Sequence, residues 1–255
     1  MKTMDRKMAA RRHGVTEQRA ATRLRLLILA VGLVGLAAAA FWLVRSPLLE
    51  VDRVEISGAQ HSEAAAVIER LGVTSGTPTI SVDASALETA LRADPWIADA
   101  SVVVTWPGSV DVEVTEHIPI AAVQVPEGFA HVTAAGQVVQ MLDEPAGIPL
   151  ITIPADAGPV RAGVTIGGPA LPGALEFASA LPPELAAVTI VAVDGSNQLS
   201  AVVGDYEVRL GRAIDMRSKA AALLALIAYG VEPGSSIDVT AARRPAVSNP
   251  QGQLE

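Results

Sequence analysis

Nineteen consecutive residues without a charge or a proline, Leu26–Val44 (LLILAVGLVGLAAAAFWLV), constrain this chain more than any other feature. As a helix rising about 1.5 Å per residue the run spans about 28 Å, close to the roughly 30 Å hydrocarbon thickness of a bilayer. Residues 1–25 carry eight basic side chains (Lys2, Arg6, Lys7, Arg11, Arg12, Arg19, Arg23, Arg25) against Asp5 and Glu17, a net +6. Residues 46–255 carry a net −15, and with Arg45 the whole chain stands at −8. Read by the positive-inside rule, that asymmetry predicts a single-pass type II anchor at 26–44 in the cytoplasmic (inner) membrane. Residues 1–25 form a cytoplasmic basic tail and 46–255 lie outside. Two other readings compete. A cleaved secretory signal shares the basic start, with Ala37–Ala40 as its cleavage site, although a signal's apolar core is usually roughly 7–15 residues. A core helix rarely runs so far without one polar side chain.

Composition removes several chemistries. Half of the 255 residues are hydrophobic and 18% are charged, which excludes a mostly disordered chain and leaves enough to bury a core. There is no cysteine, hence no disulfide framework, thiol nucleophile or zinc–thiolate site. His13, His61, His117 and His131 show no HxH or HExxH spacing, and no GxSxG exposes a serine. Gly163, Gly167 and Gly168 lack the Lys-Ser/Thr that would complete a phosphate loop. His117 beside Glu116 reads as a solvated pair, and Trp96 and Trp106 as core or sheet-covering aromatics. The reading is of a chain with no catalytic, cofactor-binding or metal site.

Beyond Pro47 the pattern becomes globular. Val51–Ser57 reads as a strand with Val51, Glu55 and Ser57 on one side and Val54 and Ile56 out of strict period. Ser62 is a plausible N-cap for a helix running to Leu71 and stopped by Gly72. Asp83 or Ser85 caps a second helix with Ala86, Leu87, Ala90 and Leu91 on its apolar face, ended by Asp94-Pro95. Ala98–Thr105 and Ser109–Glu116 form a hairpin around Trp106-Pro107-Gly108, with Val110, Val112 and Val114 inward. The order β-α-α-β-β predicts a compact α+β module, both helices on one face of a three-stranded sheet.

Strands dominate thereafter: Ala121–Val125, Ala130–Val132, Val138–Met141 and Leu150–Ile153, then an irregular stretch over 154–170. Leu175–Leu181 reads as a helix ended by Pro182-Pro183. Val188–Val193, Gln198–Val203 and Tyr206–Leu210 read as antiparallel strands joined at Asp194-Gly195 and Gly204-Asp205. Asp215–Tyr229 is a helix capped near Asp215, stopped by Gly230, and apolar at Ala221, Leu224, Ala225 and Ala228. Ser236–Thr240 reads as the final strand and sheet edge, leading into Arg243-Arg244-Pro245 and a polar tail.

The stretch Pro95–Ala121 (PWIADASVVVTWPGSVDVEVTEHIPIA) resembles the signature of the FtsQ/DivIB family of bacterial cell-division proteins. The matching residues are Pro95, Trp96, Ile97, Val102, Trp106, Pro107, Val112, Val114, Glu116, Pro119 and Ala121, with His117 in place of the usual Arg. Val54–Gly58 is similar to the family's opening strand. His131–Val139 is similar to its Val-Asp-x-x-Gly strand pair, with Thr133 in place of Asp. Val208–Ile227 resembles its Leu-Gly…Lys helix motif through Leu210, Gly211, Lys219 and Leu223, and Ser236–Val247 its last strand. The resemblance implies an α+β fold: a POTRA domain over 49–118, a β domain with a late amphipathic helix over 119–247, and a polar tail over 248–255. It implies an essential-type, non-enzymatic scaffold at the division septum, linking early and late division proteins and helping control septal peptidoglycan synthesis. FtsB and FtsL homologues are the implied partners, without nucleic acid, cofactor or small-molecule substrate. Carried over by position, the FtsB contact covers Ile237, Asp238, Val239, Thr240, Ala241, Ala242, Arg243, Arg244, Ala246 and Val247. Two alternatives stand beside this reading: a membrane-anchored exported enzyme acting on the cell wall, and a POTRA chaperone of protein export.

Overall fold

The structure, a computed structural model, describes residues 24–42, 49–154 and 159–248. Most of the expected basic tail, the last two residues of the expected span 26–44 and the C-terminal tail beyond Ser248 lie outside the described residues. Helix α1 (Leu24–Trp42) is long and apolar enough to cross a membrane, and none of it is buried against protein. It begins two residues before the uncharged run and takes in Arg25.

A three-stranded sheet follows, with strand order β1-β3-β2: β1 (Arg53–Ser57), β2 (Ile97–Thr105) and β3 (Ser109–Glu116). Helices α2 (Ala64–Arg70) and α3 (Ala84–Leu91) lie between β1 and β2 in sequence. The alternation expected for β3 is present, with Val110, Val112 and Val114 buried. In β1, by contrast, Val54 and Ile56 form the half-buried side while Arg53, Glu55 and Ser57 are exposed. A strand at the side of a small sheet buries only part of one face, which blurs its period. The α3 apolar face reduces to Leu87 and Leu91. Ser62 does not cap α2, which starts two residues later; its N–H donates to Glu116 at 2.7 Å.

The larger sheet has nine strands in the order β12-β11-β10-β9-β8-β7-β4-β5-β6. In chain order these are β4 (Ala121–Val125), β5 (Gly128–Val132), β6 (Val138–Leu142), β7 (Leu150–Thr152), β8 (Thr189–Val193), β9 (Gln198–Val203), β10 (Tyr206–Arg212), β11 (Ser236–Asp238) and β12 (Ala246–Ser248). The hairpins β4–β5, β5–β6, β8–β9 and β9–β10 are antiparallel, whereas β4–β7, β7–β8 and β10–β11 are parallel. The parallel pairs need crossovers, and helices supply two of them. Helix α4 (Leu171–Ser179) and the short α5 (Pro183–Ala186) join β7 to β8, and α6 (Met216–Tyr229) joins β10 to β11. Helix α4 starts four residues earlier than periodicity suggests, because Pro172 sits in its first turn, where its missing N–H costs nothing. It packs against α6, β4 and β8. Gly173 makes the close approach possible: a Cβ there would stand 2.5 Å from that of Ala213.

The core joins Val123, Val132, Ile151, Val191, Leu199 and Val208 of the sheet to Leu175 and Phe177 of α4 and Met216, Ala220 and Leu223 of α6. The buried face of α6 is therefore not the expected Ala221, Leu224, Ala225 and Ala228. That helix is apolar nearly all round, so its sequence does not declare which stripe faces inward. Asp215 precedes it in a left-handed conformation (φ 53°) and makes no side-chain cap hydrogen bond, while Gly230 ends it as expected.

Candidate functional site

The C-terminal end of the nine-stranded sheet carries the residues singled out for partner binding. Strand β11 is flanked on both sides, parallel to β10 and antiparallel to β12, so Ser236–Thr240 is neither the last strand nor the edge. Among the described residues, strand β12 occupies the edge. The chain reverses after Asp238 through Thr240 N–H donating to Asp238 Oδ1 (2.9 Å) and Arg244 N–H donating to the Ala241 carbonyl (2.9 Å). Pro245, with no N–H to donate, then starts the return. Three exposed residues after a proline have no hydrophobic period, which is why this strand leaves no signal in sequence.

Register decides what the edge offers. Ser236, Ile237 and Asp238 oppose Ser248, Val247 and Ala246. The Ser235 carbonyl accepts from Glu207 N–H and Val239 N–H donates to the Arg209 carbonyl, so odd-numbered residues of this stretch turn their backbone groups toward β10. By pleat alternation Ser236 and Asp238 face β12 and bond Ser248 and Ala246. Val247 is left with its N–H and C=O pointing away from the sheet. The side chains of Ile237 and Val239 are fully buried in the core and belong to packing. Thr240, Ala241, Arg243, Arg244, Ala246 and Val247 are exposed, and Asp238 and Ala242 are half-buried.

Hydrogen bonds from the Thr240 side chain and backbone, outweighing burial, hold the Asp238 carboxyl below its ordinary range, with Arg209 (4.0 Å) adding a weaker pull. Arg243 and Arg244 make no ion pair among the described residues. Arg243 also borders an open cleft of about 860 Å³ that includes Arg212, Asp215, Lys219, Thr240 and Ala242. Lys219 is 4% exposed, and its Nζ donates to the Leu210 and Arg212 carbonyls at 2.7 Å each. Burial pushes this ammonium's pKa down, with Asp215 opposing. These carbonyls bracket Gly211, which adopts φ 69° at the register shift of β10. A Cβ there would meet the Thr240 methyl at 2.8 Å, so glycine is required both by the left-handed backbone and by the space. The cleft is thus basic on balance, with Arg212, Lys219 and Arg243 against Asp215.

Other singled-out residues have different roles. Glu116 engages His61 rather than His117: Oε1 accepts N–H bonds from Gln60 (2.8 Å), His61 (2.8 Å) and Ser62 (2.7 Å), and Oε2 lies 2.9 Å from His61 Nδ1. Burial alone would raise its pKa, but the Ser62 and His61 backbone donors and the His61 ring outweigh it and hold the carboxyl at about 2. Trp96 stacks on the same imidazole with ring centroids 4.7 Å apart. Trp106 is 53% exposed, not a core aromatic. His131 is buried, with Nδ1 3.3 Å from Gln140 Nε2. Thr133 accepts from the N–H groups of Ala135 and Gln137 (3.2 and 3.3 Å), doing the turn-closing work of a carboxylate at that position. Glu116's role had no local signal, since its partners lie more than fifty residues away in sequence.

A family model described as POTRA domain, FtsQ-type, matches residues 49–117. The chain is 33% identical over 242 residues to the cell division protein FtsQ of Streptomyces collinus, covering 88% of this chain and 87% of that protein. It is 32% identical over 209 residues to the FtsQ of Streptomyces griseus (80% of this chain, 99% of that protein). To the FtsQ of Mycolicibacterium smegmatis it is 28% identical over 204 residues, 79% of this chain and 58% of that protein.

Proposed function

The chain belongs to the FtsQ family of cell-division proteins, generally non-enzymatic, and from that premise we propose that it acts as a scaffold through the open edge at β12. In this reading α1 holds the protein in the cytoplasmic membrane at the septum, with its N-terminus inside. The POTRA domain spans 49–118 and the β domain 119–247. FtsB and FtsL homologues are the partners, and through them the protein helps control septal peptidoglycan synthesis. The observation that carries the partner site is the Val247 backbone, whose N–H and C=O face outward from a nine-stranded sheet. Such an edge pairs with an added strand, which takes affinity from the main chain and specificity from alternate side chains. The basic cleft beside it, with Arg243 at its rim, suits an acidic residue flanking that strand.

Val247→Pro tests this directly. Proline removes the outward N–H while leaving the Ala246 and Ser248 bonds to β11 intact, and its φ is compatible with an edge strand. One lost edge hydrogen bond plus interrupted pairing predicts at least tenfold weaker binding of an FtsB-homologue exported segment than Val247→Ala shows, about 1.4 kcal/mol. Equal binding by the two variants would remove β12 as the partner edge.

A further inference from the structure

We propose that Ile80 and Trp106 form an apolar foot that rests the N-terminal module on the surface of the same bilayer that α1 crosses. Both side chains face solvent, Ile80 at 60% and Trp106 at 53% exposure. Hydrogen bonds fix them on one end of the module. Thr79 Oγ1 donates to the Pro107 carbonyl at 2.8 Å, tying the 3-10 turn Thr79–Ser81 to the Trp106-Pro107 turn. The entering chain threads between the same two loops: Val51 N–H donates to the Thr77 carbonyl (2.8 Å), and Asp52 N–H to the Gly108 carbonyl (2.8 Å). Glu50 bridges Pro78. The end that carries the exposed apolar pair is therefore the end at which the chain arrives from α1.

The reach of the chain supplies the occupant. Helix α1 ends at Trp42, and Leu49 is only seven residues further on. Seven residues span at most about 25 Å even fully extended, so Leu49, two residues before the Val51 entry, lies within that distance of the end of α1. A tether so short holds the foot at an effective concentration on the order of millimolar against the headgroup zone. Tryptophan is the side chain best suited to that zone, with an apolar body and one N–H donor. Glu50 and Asp52 flank the entry against the single cation Arg53, so attraction to anionic lipid is not the driving force. The contact is with the boundary between headgroups and acyl chains, and zwitterionic lipid is sufficient for it.

This inference rests on membrane insertion of α1 and is independent of the partner reading at β12. The chain has three tryptophans, Trp42, Trp96 and Trp106, so W42F/W96F makes Trp106 the only tryptophan emitter. The full chain is reconstituted in phosphatidylcholine vesicles, and flotation after an alkaline wash confirms α1 insertion separately. Trp106 emission should be quenched at least twofold by phosphatidylcholine brominated at shallow acyl positions and largely shielded from iodide. Ile80→Ser in the same background should reverse both effects with an unchanged far-ultraviolet circular dichroism spectrum. W42F/W106F, which reports Trp96, should show no bromolipid quenching. Free access of iodide to Trp106 without bromolipid quenching would overturn the proposal. Protection from both quenchers would also overturn it, since it would place the foot against protein, such as a second copy of the chain.

Discussion

Replacing Glu116 by Gln preserves an acceptor oxygen but removes the charge that three backbone N–H groups and the His61 ring converge on. The side chain is 11% exposed, so its hydrogen bonds are poorly exchanged for water. Each pKa unit corresponds to about 1.4 kcal/mol, and a fall from 4.5 to about 2 sets an upper limit of about 3 kcal/mol. Gln60 and His61 themselves face water, which screens part of this and leaves about 2 kcal/mol. For a module of this size that is a fall in Tm of roughly 8–16 °C. The sign follows from the depressed carboxyl: its stabilisation is complete above the unfolded value near 4.5 and is lost as pH falls toward 2. Thermal unfolding of the full chain in detergent, in the W42F/W106F background, reports this through Trp96, which stacks on His61. The Tm gap between this parent and its Glu116→Gln variant should be constant from pH 7 to about 5.5, shrink below 4.5 and close near pH 2. No gap at pH 7, or one that persists unchanged to about pH 2.5, would refute the electrostatic account of this anchor.

Lys219→Met deprives the Leu210 and Arg212 carbonyls of their donor, and should lower stability by about 1–3 kcal/mol in denaturant unfolding. Because burial lowers the Lys219 pKa, the native protein should gain stability as pH rises from that lowered value toward 10.5, a gain the Met variant lacks. Val112→Asp places a carboxylate at a position 2% exposed and should cost several kcal/mol. A wild-type melting curve for that variant would show the inward face of β3 to be misassigned.

Legibility in the sequence followed the physics of burial. Val110, Val112 and Val114 were readable because β3 buries one face only, so the pleat appears as strict alternation. The hairpins at Asp194 and Gly204 were readable because turn chemistry is local. Helix α6 was readable as a helix but not in its facing, since AAALLALIA offers apolar residues on every side and the buried stripe includes Lys219. A buried lysine is invisible to periodicity, because its partners are main-chain carbonyls that carry no sequence identity. Strand β12 was invisible for a related reason: it is placed by register against Ser236, Ile237 and Asp238 and not by any burial of its own. The edge therefore lies one strand outward from Ser236–Thr240, and the side chains of Ile237 and Val239 are buried in the core.

Hydrogen exchange at the Val247 amide reads the state of the β12 edge without a substitution. In the free protein this N–H faces outward from the last strand and should exchange much faster than its neighbours Ala246 and Ser248, which are bonded to β11. Saturating the membrane-inserted protein with the exported segment of an FtsB homologue should slow exchange at Val247 at least tenfold while leaving Ala246 and Ser248 little changed. An unaltered Val247 rate in a demonstrably formed complex, with new protection confined to residues 49–117, would contradict the account and place the partner on the N-terminal module.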